Sequence, residues 1–178
     1  MTKYVAFLRG INVGGHKKVP MEQLRKCLEA TGLKKVKTLL ASGNVIFETG
    51  KSDIQSLNKK IASSLKEEFG FDIPLIIRTA EQIQKLVQRN PFKSIKVDSN
   101  TRLYVTFLNN KPRTYPKLPY VTPEGDFTIL EITDGEVLSV LRLTPGMGTT
   151  DSMNILEKEF GRDVTTRNWN TVIKLLNE

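Results

Sequence analysis

Residues 36–48, VKTLLASGNVIFE, decide how the first half of the chain folds. Two β-rich runs, Val36–Ala41 and Val45–Glu48, are separated only by Ser42, Gly43 and Asn44. So short a connection predicts an antiparallel hairpin. Working back from it, Met21, Leu24 and Leu28 form an apolar stripe at helical spacing, with Pro20 placed for a first turn and Gly32 for a C-terminal stop. That pattern predicts a helix over 20–31. Tyr4–Leu8, ahead of the helix, is apolar on both faces and predicts a strand in a sheet covered from both sides. Working forward, Ser52 and Gln55 have capping-box spacing, and Ile54, Leu57, Ile61 and Leu65 mark a helix ending near Gly70. A strand at Ile73–Ile77 follows. The order is β-α-β-β-α-β, the split arrangement called ferredoxin-like.

Thr79 and Gln82 repeat the capping-box spacing before Ile83, Leu86 and Val87, predicting a further helix that stops before Pro91. The expected boundary falls there, giving a first subdomain over 1–90 and a second over 91–178. The second opens with a strand at Leu103–Leu108, then a Pro-rich loop over 112–123 carrying Pro112, Pro116, Pro119 and Pro123, too many for a regular ladder. Asp134-Gly135 between Phe127–Ile132 and Val137–Leu143 is a strong hairpin signal. Ile155, Leu156 and Phe160 predict a helix closed by Gly161, and Trp169, Val172, Ile173 and Leu176 a C-terminal helix. The class expected is α+β, with a ferredoxin-like first subdomain and a second built from the same parts in rearranged order.

Composition narrows the chemistry. With 178 residues, 39% apolar and 26% charged, the chain has the make-up of a folded globular protein. One Cys, Cys27, leaves no disulfide within the chain, and with one His there is no His/Cys zinc cage. No metal and no cofactor is expected. The longest apolar run near the start, Tyr4–Leu8, is shorter than the roughly 7 to 15 residues of a signal peptide or the roughly 20 of a membrane span. No membrane partner is expected, and the cytoplasm is the expected location. The sequence carries no signal for a particular oligomeric state.

The net charge of +8 is unevenly placed: residues 1–90 hold 16 basic and 8 acidic side chains, and residues 91–178 hold 11 of each. A basic half attracts phosphate-bearing or acidic partners. Between the first strand and first helix lies Arg9-Gly10-Ile11-Asn12-Val13-Gly14-Gly15-His16-Lys17-Lys18, a setting in which backbone N–H groups can surround an anion. It lacks the hydroxyl of a P-loop and the dinucleotide glycine spacing, so a tight turn competes with a phosphate site. His16 is the only imidazole available to a general base, with Ser42 or Thr166 as conceivable nucleophiles, although no spacing brings them together. Cys27 sits at the edge of a helix stripe and reads as a small core residue. The third polar cluster, Thr165–Thr171, surrounds the only Trp; it offers helix capping and more amides and hydroxyls than one cap uses. Base stacking in the manner of RNA-recognition modules fits poorly, because Val45-Ile46-Phe47 supplies one aromatic where the motif wants three.

Three segments, Leu8–Gly15 (LRGINVGG), Ser42–Val45 (SGNV) and Thr166–Thr171 (TRNWNT), resemble in order and spacing the bacterial family called domain of unknown function 1697. The resemblance implies two small α+β subdomains related to the ferredoxin-like fold, the second permuted. It offers Arg9, Asn12, Asn44, Arg167, Asn168 and Asn170 as a candidate site and supplies no activity. A basic residue common in the family ahead of the penultimate helix is replaced here by Thr149, Thr150 and Asp151. With Gly14, Gly15, His16, Lys17 and Lys18 of the glycine loop, these positions make the candidate ligand-binding set. The leading expectation is an anion-binding module that engages a nucleotide, a phosphorylated metabolite or nucleic acid through its basic first subdomain. The alternatives are a small-molecule enzyme with a site between the subdomains, in which Arg9 and Arg167 clamp an oxyanion, and a structural or protein-interaction role.

Overall fold

A computed structural model describes residues 1–146 and 150–178. The chain divides into two compact units, Met1–Lys85 with Lys174–Glu178, and Leu86–Ile173.

The first unit is built from β1 (Thr2–Leu8), α1 (Met21–Ala30), β2 (Lys34–Leu39), β3 (Asn44–Thr49), α2 (Ile54–Phe69) and β4 (Leu75–Thr79). Its sheet has the order β2-β3-β1-β4 with every pair antiparallel. The hairpin read from residues 36–48 is present, ending β2 at Leu39 because Leu40 turns the chain at φ 62. One sheet face carries Tyr4, Ala6, Leu8, Val45, Phe47, Leu75 and Ile77 into a core with Leu24 and Leu28 of α1 and Leu57, Ile61 and Leu65 of α2. Tyr4 and Phe47, register partners on β1 and β3, stack at 5.7 Å. The other face, with Val5, Phe7, Ile46 and Ile76, is buried as well, as the doubly apolar β1 predicts. The cap of α2 differs from expectation. Asp53, not Ser52, accepts the Ser56 N–H at 2.8 Å, while Ser52 is held by its N–H donating to the Tyr4 hydroxyl at 3.1 Å.

Helix α3 (Ala80–Arg89) carries the chain from one unit into the other. Its capping box is formed in both directions: Gln82 N–H donates to Thr79 Oγ1 and Thr79 N–H to Gln82 Oε1.

The second unit contains β5 (Thr101–Leu108), β6 (Tyr120–Val121), β7 (Phe127–Ile132), β8 (Glu136–Arg142), α4 (Thr150–Phe160), β9 (Val164–Asn168) and α5 (Trp169–Lys174). The antiparallel order is β6-β7-β8-β5-β9, so β7-β8-β5-β9 matches β2-β3-β1-β4 position for position. A helix precedes β5 rather than following it, and the Pro-rich segment stands where the first unit has α1. Within that segment the chain adds the two-residue edge strand β6, flanked by Pro119 and Pro123. The β7–β8 hairpin is present, but Asp134-Gly135 does not use the left-handed turn that dipeptide favours. Instead Thr133 Oγ1 accepts from the N–H groups of Gly135 and Glu136. Tyr104, Leu108, Phe127, Ile129, Val137 and Leu141 form the core with Leu156 of α4.

Candidate functional site

Between β1 and α1, the glycine loop is a small hairpin tip. Gly14 and Gly15 have φ 58 and φ 76, and His16 N–H donates to Val13 O at 3.1 Å, the signature of a type I′ turn. Asn12, at φ 55, ties the base of this tip down. Its Nδ2 donates to Val19 O and Ala41 O, both at 2.9 Å, and its Oδ1 accepts from Val19 N–H at 2.8 Å. The carboxamide is thus spent on backbone groups. At the tip, His16, Lys17 and Lys18 are exposed, and the Lys17 ammonium lies 5.7 Å from the centre of the Phe71 ring. Arg9 is half-buried, with its N–H donating to Pro74 O at 2.8 Å.

The second motif packs directly on the first. Leu8 N–H donates to Gly43 O at 2.8 Å, and a Cβ on Gly43 would lie 2.8 Å from both Leu8 Cβ and Ile11 Cδ1. Gly43 also has φ 84, so glycine is required there twice over, by space and by backbone conformation. Asn44 is fully buried, its Nδ2 donating to Leu39 O at 2.8 Å and to Ser42 Oγ at 3.0 Å. Ser42 is therefore engaged in the turn.

The third motif lies in the second unit, where β9 runs into α5. The alternation of the strand separates its side chains. Thr166 bonds Thr106 at 2.8 Å on one face, while Arg167 on the other is 9% exposed and donates from Nη1 to Thr165 Oγ1 and Thr166 O. Burial pulls the Arg167 guanidinium down to about 10, which leaves it charged at neutral pH. Asn168 and Asn170 are exposed and, with Trp169 and Thr171, line a cleft of about 360 Å³ whose other wall is Val97, Thr101, Arg102 and Leu103. Trp169 is anchored edge-to-face on Phe92 at 5.2 Å. Arg102 had no motif to mark it; it is a single Arg at the head of a strand, recognisable only once β9 is laid beside β5.

A second cleft, about 490 Å³, lies in the first unit among Lys3, Lys51, Ser52, Thr79 and Glu81, of which the sequence marked only Ser52 and Thr79, as helix caps. Cys27 is half-buried with Sγ donating to Ser64 O at 3.6 Å, and burial raises its thiol above the ordinary value. Among the described residues no cluster of three His, Cys, Asp or Glu could hold a metal ion. No helix among them is long and apolar enough to cross a membrane. Thr149 lies outside the described residues, and Asp151 is exposed in the first turn of α4. Of the candidate residues, the first unit holds Arg9, Asn12, Gly14, Gly15, His16, Lys17, Lys18 and Asn44, and the second holds Arg167, Asn168 and Asn170.

Comparison with known proteins agrees with this architecture. The conserved bacterial protein SP0830 from Streptococcus pneumoniae has the same fold at a TM-score of 0.69 and 22% identity, over 99% of this chain and 97% of its own. No curated protein matches the sequence. The family described as protein of unknown function (DUF1697) matches residues 1–136, a span that includes the first two motifs and ends before the third. By that match the chain belongs to the DUF1697 family.

Proposed function

We propose that the chain is an anion-binding module whose first unit engages a phosphate-bearing partner, with nucleic acid favoured over a single nucleotide. The observation that carries this reading is the division of charge. The first unit has 16 Lys and Arg against 9 Asp and Glu, and the second has 11 against 10. Lys17 and Lys18 stand exposed on the glycine turn and Lys34 on the edge strand β2, and none has a carboxylate within ion-pair distance among the described residues. Cations spread over a turn and an edge suit a polymer of phosphates, whose binding releases counterions from many contacts at once. Lysine on β2 also has a structural benefit, since charge on an edge strand opposes sheet-to-sheet pairing.

Fluorescence anisotropy with labelled single- and double-stranded oligonucleotides tests the reading. Binding is expected at about 50 mM salt and a loss of at least tenfold by about 200 mM. Charge reversal, Lys17→Glu with Lys18→Glu, is expected to weaken binding by about tenfold or more while leaving stability within about 0.5 kcal/mol, as for exposed positions generally. No binding at low salt, or an affinity indifferent to salt, overturns it.

A further inference from the structure

The cleft of the second unit has a composition that the basic first unit does not share. Its wall contains one cation, Arg102, no carboxylate, and the side chains of Asn168, Asn170 and Thr171. Among the described residues those two carboxamides and that hydroxyl make no hydrogen bond within the protein, whereas Asn12 and Asn44 of the first unit are bonded to backbone. Arg102 is fixed in a particular way: Nη1 donates to Ser99 O at 2.9 Å and Thr101 O at 3.1 Å. What remains is the Nε and Nη2 side of the guanidinium, the pair of parallel N–H groups that matches two oxygens of a carboxylate or phosphate. Asp98, the acid nearest in sequence, is occupied: its Oδ1 accepts from Thr101 Oγ1 at 2.8 Å and Asn100 N–H at 2.9 Å.

We propose that this cleft binds a small oxyanion-bearing compound, its carboxylate or phosphate paired with Arg102 and its polar groups oriented by Asn168 and Asn170. A volume of about 360 Å³ suits a metabolite rather than a polymer. The proposal is independent of the reading given for the first unit, because no residue of the glycine turn takes part in it.

Trp169 lines the cleft and is the only tryptophan, so its fluorescence reports occupancy locally. Inorganic phosphate and acetate are titrated at constant ionic strength, with chloride as the control. A saturable change in Trp169 emission is expected with at least one of the two probes, and the stronger identifies the anion class. Arg102→Gln is expected to weaken it by about tenfold and Asn170→Ala by a few-fold, the sizes typical of a charged and a neutral hydrogen bond. Arg102→Lys, which keeps the charge and loses the fork, serves if the glutamine variant misfolds, with a several-fold loss expected. The Lys17→Glu, Lys18→Glu variant is expected to titrate like the parent. No saturable change up to about 50 mM of either probe, an undiminished response in a folded Arg102 variant, or loss of the response in the Lys17, Lys18 variant overturns the site.

Discussion

Asn12 and Asn170 belong to look-alike stretches, each a polar residue in a motif at the junction of a strand and a helix, yet the two units use them in opposite ways. In the first unit Asn12 gives both ends of its carboxamide to Val19 and Ala41, Asn44 is sealed inside the hairpin, and Gly43 admits Leu8 and Ile11. The first two motifs are two halves of one packing arrangement. In the second unit Asn168 and Asn170 face a cleft with their hydrogen-bonding groups unspent. The difference teaches that a polar motif reveals its role by where its donors and acceptors end. A carboxamide consumed by backbone builds the fold, and one left over at a concave surface is available to a ligand.

Substitution separates the two uses. The largest effect is expected from Gly43→Ala, which places a methyl at 2.8 Å from Leu8 Cβ and Ile11 Cδ1 on a residue with φ 84. Overpacking and left-handed strain together predict a loss of about 3 to 5 kcal/mol, measured by urea unfolding. Asn12→Ala comes next, losing three hydrogen bonds and the residue type that best tolerates φ 55, for about 2 to 4 kcal/mol. Asn170→Ala is the counterpart that breaks the comparison if it fails: its stability should move by less than about 0.5 kcal/mol. A loss comparable to that of Asn12→Ala means that Asn170 too is structural.

Smaller effects sharpen the same point. Ser139 Oγ is buried in the second unit without a hydrogen-bond partner among the described residues. Removing that hydroxyl in Ser139→Ala should leave stability unchanged or raise it by about 1 kcal/mol, since the desolvation of an unmatched group is relieved. A clear destabilisation means that the hydroxyl is matched, for example through a water. The smallest effect concerns Cys27 in the first unit, whose thiol burial raises above its ordinary value. The folded state holds the thiol proton more tightly, so this contribution is complete below the ordinary thiol value and is lost as pH rises through the raised one. As pH rises past the ordinary thiol value the parent should lose slightly more stability than Cys27→Ala. Identical pH profiles contradict the shift.

Much of the fold was legible because its signals are local. The stripe Met21, Leu24 and Leu28, the doubly apolar β1, and the Thr79 and Gln82 box each depend on residues a few positions apart, and all are present. Misreadings arose where two local solutions compete. Ser52 and Asp53 both suit an N-cap, and the bond from Ser52 N–H to the Tyr4 hydroxyl, 48 positions away, leaves Asp53 to serve. Asp134-Gly135 marked a hairpin correctly, while the turn itself is organised by the Thr133 hydroxyl. At the candidate site, Asn168 and Asn170 were visible as surplus polarity around Trp169; Arg102 was not, because its place in the cleft comes from the pairing of β5 with β9.

The order of strands and helices, the excess of positive charge in the first half and the positions of the polar motifs were set by the sequence alone, since periodicity and composition need no knowledge of distant contacts. Which asparagine is spent and which is free was decided only in three dimensions. A hydrogen bond joins groups that the chain brings together over any separation, as Asn12 and Ala41 are brought together here, and sequence spacing does not contain that distance.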